Sequence, residues 1–166
     1  MMTLPQDAKI LMALQPRTTN AGVTVTNVNY ISLKGYHTAY LIVNLTQAVG
    51  HATAVTLRRG TGVGAMGTLP GGDAAFTNSV PIWLNEDCVA SDALVRQTDA
   101  TLQAVTNDVK FKQIVFKVDA IKLGTGYDCL GFTIGDSAQV TNFGSAIWVL
   151  VPARYAGPTP LSAMVD

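Results

Sequence analysis

From Val23 onward the chain alternates apolar and polar positions over short stretches. That is the period of a strand with one face buried, because successive strand side chains point to opposite faces. Ile114, Phe116 and Val118 point one way and Gln113 and Lys117 the other, while Val55 and Leu57 stand against Thr56 and Arg58. Stretches rich in Val, Ile, Thr and aromatics are separated by clusters of Gly, Asn, Asp and Pro. They predict eight or nine antiparallel strands near residues 25–31, 38–45, 54–59, 80–84, 93–97, 101–105, 111–119, 129–134 and 147–154. Residues 40–43 and 147–151 are apolar on both faces, which predicts central strands covered on each side by another layer or another chain. Helical periodicity after residue 22 is weak, against alternating βαβ units. The expected fold is all-β, an antiparallel β-sandwich of jelly-roll type.

Both ends read differently. Residues 1–22 place Ile10, Leu11, Met12 and Leu14 between Pro5 and Pro16, ahead of the polar run Arg17, Thr18, Thr19, Asn20, and predict a short helix or an extended N-terminal arm. The sandwich is expected over 23–155 and an extended C-terminal tail over 156–166, with Pro152, Pro158 and Pro160 restricting the chain there. Residues 60–73 carry six glycines and few large side chains, which predicts a long mobile loop.

Composition narrows the class. The chain has 166 residues, eleven Lys plus Arg and eleven Asp plus Glu, so no net charge draws in nucleic acid or an anionic membrane. Charged residues make up 13% and hydrophobic ones 48%, against about 25% charged in an average soluble domain. A surface so poor in charge predicts cover by partners. Apolar runs such as 146–153 are too short to span a bilayer as a helix. With Asp7 and Lys9 around the first apolar patch, the N-terminus lacks the form of a signal peptide, and synthesis in a reducing cytoplasm is expected.

Few residues suggest chemistry. Gly62, Gly64 and Gly67 satisfy GxGxxG after a predicted strand, yet Pro70 and two more glycines follow where a phosphate-binding helix would have to begin, so a flexible loop is expected. His37 and His51 have no neighbouring ligand at zinc spacing. Cys88 and Cys129 form no CxxC and read as small core residues; a disulfide between them stays open. Glu86 and Asp87 would raise the Cys88 thiol pKa and blunt it as a nucleophile. Asp87, Asp92, Asp99 and Asp108 read as solvated turn residues, and Asn44 begins an N-x-T sequence that matters only in a secretory pathway. Arg58, Arg59 and the lysines at 110, 112, 117 and 122 read as solvated edges or as docking points for an acidic surface. Trp148 is expected on a sheet face, and Trp83 either in the core or at an interface rim. No catalytic residue, cofactor or metal is expected.

An ordered series of segments carries a family resemblance. These are LPQDAKILMALQPRTT, YISLKGYHTAYLIVNLTQ, AVTLRRGTGVGAMGT, VPIWLNEDC with LVRQTDA, FKVDAIKLGTGYDCLGF, and VPARYAGPTPLSAMVD. In order and length the chain resembles the head decoration, or cement, proteins of tailed bacteriophages, over almost its whole length. The resemblance implies a jelly-roll-like sandwich on the outside of an assembled capsid. It would be dimeric or trimeric, bind the major capsid protein and help the shell resist internal DNA pressure. The glycine-rich loop with Arg58 and Arg59 departs from the family's commoner small polar pattern. Partner contacts are expected at Leu4, Pro5, Ile10, Leu11, Leu14, Arg58, Arg59, Trp83, Tyr155, Pro158 and Pro160. Three rivals remain: a tail or baseplate component, a carbohydrate-binding module using Trp83 and Tyr127, and an enzyme pairing His37 or His51 with a carboxylate.

Overall fold

In the computed structural model, which describes residues 8–48, 50–64, 66–105, 111–153 and 162–164, the alternating stretches form eleven strands among those residues. They are β1 (Lys9–Thr18), β2 (Ile31–Ser32), β3 (Tyr36–Thr46), β4 (Thr53–Gly60), β5 (Ala74–Ala75), β6 (Ile82–Asn85), β7 (Val95–Arg96), β8 (Leu102–Val105), β9 (Phe111–Asp119), β10 (Cys129–Ile134) and β11 (Phe143–Ala153). Their pairing is that of a long antiparallel ribbon rolled on itself. β1 pairs with β11, β2 with β10, β3 with β9, and β4 with both β5 and β8. Rolling sets β11 beside β3 and β10 beside β4. A six-stranded sheet, β1-β11-β3-β9-β6-β7, thus faces a five-stranded one on the path β2-β10-β4-β5, the strand arrangement of a jelly roll.

The core lies between the sheets. Leu41, Val43, Ile114, Phe116, Val118, Trp148 and Leu150 of the larger sheet meet Val55, Leu57, Leu130, Phe132 and Ile134 of the smaller, all buried. The rings of Trp148 and Phe132 meet edge to face, 5.8 Å apart at 76°. The Trp148 indole N–H donates to the Asn29 carbonyl at 3.0 Å, so burial leaves its polar atom satisfied.

The two outer faces are treated differently. Gly131 alternates with Leu130 and Phe132, so its Cα hydrogen points away from the core, and the buried Tyr30 ring lies against it. Around Tyr30, the loop after β4 covers the Gly131 end of the smaller sheet's outer face, while Leu102 and Ala104 of β8 stay exposed on that face. The loop is irregular, as its glycines predict, but it is tied down rather than free. Thr61 and Gly62 donate to the Gly71 carbonyl, Tyr30 to that of Gly64, and Gly67 to that of Thr26. A side chain at Gly64 would come within 2.9 Å of Pro70, so the close approach of the loop's two limbs requires glycine there.

Several expectations are corrected. The arm expected over 1–22 joins the sheet from Lys9, where β1 pairs with β11 through two register shifts. Those bulges break the period-two pattern and hid the strand from the sequence. Residues 25–31 form no continuous strand: Val25–Asn27 is a 3₁₀ turn closed by Asn27, whose side-chain oxygen accepts from the Thr24 amide at 3.1 Å. The expected tail is fixed at residue 163, where buried Ala163 accepts a hydrogen bond from the Ser32 amide at 2.8 Å. Lys112, read as a solvated edge lysine, is buried on the inner face of β9, with Nζ donating to the Glu86 carbonyl at 3.3 Å. Both cysteines carry free thiols. Cys129 is buried as expected, but Cys88 is exposed, because the turn after β6 carries it out of the core.

Candidate interaction surface

Opposite residues on paired strands share a face, so the register shows which side chains line the outside of the larger sheet. One row crosses five strands: Met12, Ile147, Ile42, Val115 and Trp83. Beside it runs Ile10, Val149, Tyr40 and Lys117. Ile10 and Met12 are 46% and 50% exposed, and Ile147, Ile42, Val115, Trp83, Val149 and Tyr40 are half-buried. None belongs to the core cluster or is among the residues packed against it. Toward one end of the sheet, Phe143 and Phe111 flank Thr46 on the same face and are also exposed.

Charge is sparse and paired on this face. The row ends where the Arg96 guanidinium lies over the Trp83 ring, 5.1 Å from its centre, and also bridges to Asp99. Lys117 sits 3.7 Å from Asp119, which accepts a 2.7 Å hydrogen bond from Thr38. The face is therefore an apolar row bordered by neutralised charge at one side and by the neutral polar row Ser145, Asn44 and Gln113 at the other, the make-up of an interface centre and its rim.

Of the contacts expected from sequence, Ile10 and Trp83 lie on this face. The core reading of Trp83 is thereby set aside. Leu14 is buried and Leu11 packs against the core, so both serve the fold, since β1 turns that side of its chain inward. Leu4, Pro5, Tyr155, Pro158 and Pro160 lie outside the described residues, as do Lys110 and Asp108. Met12, Ile42, Val115 and Ile147 were not among the expected contacts. Their signal was present, because 40–43 and 147–151 are apolar on both faces, and only one of those faces is needed for the core.

The basic pair turns inward to contacts within the chain. Arg58 donates to Asp73 through Nε at 3.1 Å and Nη2 at 2.5 Å, and the Tyr30 hydroxyl donates to the same carboxylate at 2.6 Å. Burial pushes the Asp73 carboxyl up, but the hydrogen bonds from Arg58 and Tyr30 outweigh it and hold the pKa below the ordinary value. Because the folded pKa is depressed, this stability is complete above the unfolded value of about 4 and is lost as pH falls through the folded one. Asp73→Asn keeps the shape and removes the charge, and is expected to cost roughly 1.5–3 kcal/mol at pH 7. In urea unfolding at pH 7 and at pH 2.5 the deficit should shrink at the lower pH; an equal deficit at both would contradict the assignment. Arg59 lies over the Tyr127 ring at 4.1 Å and donates to the Leu123 carbonyl at 2.8 Å.

These contacts bear on the rival readings. Tyr127, in the turn before β10, is stacked under Arg59 of the smaller sheet and Trp83 of the larger sheet under Arg96, so the two rings form no common platform for a sugar. Gly62, Gly64 and Gly67 lie in the tied loop, where Gly64 and Gly67 bond to the fold itself. His51 places Nδ1 3.0 Å from the Ser137 carbonyl. His37 shares a shallow pocket of about 320 Å³ with Asp119, whose carboxylate is engaged by Thr38 and Lys117. Burial, then Asp87, push the Cys88 thiol up, the reverse of what a nucleophile needs. Among the described residues no three His, Cys, Asp or Glu side chains are grouped to hold a metal ion, and no helix is long and apolar enough to cross a membrane. Comparison of the chain with protein-family models, curated proteins and solved structures gives no match.

Proposed function

We propose that this protein is a structural component of a tailed-bacteriophage particle, a decoration or cement protein that binds the outside of the assembled head and strengthens contacts between major capsid subunits. The observation that carries a role in assembly is the apolar row Met12, Ile147, Ile42, Val115 and Trp83, which leaves an outer sheet face fit to pack against another chain. The head location rests on the ordered segment resemblance. The role is one of binding alone, with neither cofactor nor nucleic acid nor membrane as partner, and the protein is made in the host cytoplasm before joining the particle.

In this reading the rolled sandwich is a rigid body and the terminal segments reach capsid subunits. Lys9 stands opposite Leu150, so the start of β1 and the end of β11 lie together at one corner of the larger sheet. In this reading, capsid contacts made from both ends of the chain act at that corner together. Immunogold labelling of purified phage particles tests the proposal, with label expected over the head. Label confined to the tail would replace the head role with a tail or baseplate one, and unlabelled particles would remove both.

A further inference from the structure

We infer that the apolar face of the six-stranded sheet is a two-fold interface that takes a second copy of this chain, sheet against sheet. The chain covers part of the outer face of its smaller sheet with Tyr30 and the loop after β4, whereas the larger sheet presents aliphatic side chains and Trp83 outward. Both faces are outer faces of one sandwich, and the fold covers only part of the smaller sheet's, around Gly131, and none of the apolar row on the larger.

Size favours a second copy. From strand spacing, the five strands β1 to β6 span about 19 Å, and from strand rise the eleven residues of β3 run about 36 Å. Allowing for the shorter β6, the footprint is about 600 Å². That exceeds the roughly 400 Å² per partner of incidental contacts and approaches the about 800 Å² of a specific interface.

The row is also complementary to itself. A two-fold axis parallel to β3, passing over Ile42, sets Ile42 against its own equivalent, Ile147 against Val115 and Met12 against Trp83. Such an isologous contact needs one patch to match itself under rotation. Here it joins aliphatic to aliphatic side chains at the centre and a thioether to an indole at each end, a favourable sulfur–aromatic contact. Charge does not oppose it, since Lys117 is paired with Asp119, Arg96 with Asp99, and the chain is neutral. Two twisted sheets stack in this way about 10 Å apart with strands nearly aligned. In the particle role proposed above, on which the purpose of this pairing rests, the dimer would present two terminal corners to the capsid.

Sedimentation equilibrium of the full chain at about 100 µM, far above the micromolar ceiling for a standard interface, tests the pairing. The expected mass is twice the 17.5 kDa of one chain. Ile42→Asp should weaken association at least about 30-fold, as loss of a central interface residue does. Since a charge on β3 could also disturb folding, Ile42→Cys in a Cys88→Ser background supplies a second readout. With the sheets about 10 Å apart the paired thiols lie beyond the reach of a direct disulfide, but a short bis-thiosulfonate linker should join a residue on the axis rapidly to its own equivalent. A wild-type protein of single-chain mass overturns the pairing, and so does a dimer that persists in folded Ile42→Asp or leaves Ile42→Cys uncross-linked. Single-chain mass together with head labelling would separate the two ideas, rejecting the pairing while leaving the particle role standing.

Discussion

A chain lacking residues 1–22 is expected to lose its native fold, whereas one lacking only 1–7 should keep it. The longer deletion removes β1, and with it Leu14 and Ala13, both fully buried, and Leu11 packed against the core. Burying a leucine side chain is worth roughly 1.5–3 kcal/mol. Asn29 would lose two acceptors, the Ala13 carbonyl for its amide at 2.9 Å and the Met12 carbonyl for its side chain at 2.6 Å. Asn29 itself supplies the carbonyl that satisfies the Trp148 indole, so loosening it would free that buried donor as well. β11, eleven residues long, would become an open edge available for unwanted pairing. Together these losses approach the whole stability of a typical domain, about 5–15 kcal/mol. Circular dichroism melts of the two truncations decide the matter. A cooperative melt of the 1–22 deletion within a few degrees of the full chain would refute the account; loss of the fold means that deletion cannot serve as a fold-neutral test of capsid attachment. Removal of 1–7 supplies that test.

Gly131→Ala should be among the most damaging single substitutions in the protein. A Cβ at this position would lie 2.2, 2.3 and 2.5 Å from three atoms of the Tyr30 ring. The ring cannot move aside cheaply. Its hydroxyl is held by Asp73 at 2.6 Å, its backbone amide by the Gly64 carbonyl at 2.8 Å, and Asp73 is held in turn by Arg58. Replacing glycine by alanine in a strand ordinarily gains roughly 0.5–1 kcal/mol, so the sign of the effect separates sterics from propensity. Overpacking together with a broken buried hydrogen-bond network is expected to cost about 3 kcal/mol or more. In a domain of this size that lowers the melting midpoint by roughly 10 °C. Tyr30→Ala should be costly alone, yet in the double variant the two costs should fall well short of their sum. A Gly131→Ala protein as stable as the wild type, or strict additivity with Tyr30→Ala, would show that the ring does not confine this position.

Glycine 131 also shows where reading the sequence ends. Nothing in the segment CLGFTI marks its central glycine as the seat of an aromatic ring from a hundred residues earlier, because that ring arrives only when the smaller sheet forms. The same holds for Arg58 and Asp73, fifteen residues apart across the loop, which read as ordinary surface charges until β4 and the loop's return bring them together. β1 was missed for a local reason. Its bulges place Ala13 and Leu14 both inward, so the alternation that reveals β9 so plainly is absent there.

By itself, the order of apolar and polar residues determined the fold class, the place of most strands and the central position of β3 and β11. Those properties follow from the two-residue period of a strand and from local turn chemistry, both written in neighbouring residues. Only the tertiary structure decided which face of those doubly apolar strands meets the core and which meets the outside. It also decided that the basic pair turns to Asp73 and Tyr127, and that Met12 and Trp83 end one continuous row. Such facts depend on which strands lie side by side, and pairing between distant segments is settled by how the whole ribbon rolls up rather than by the residues of any one strand.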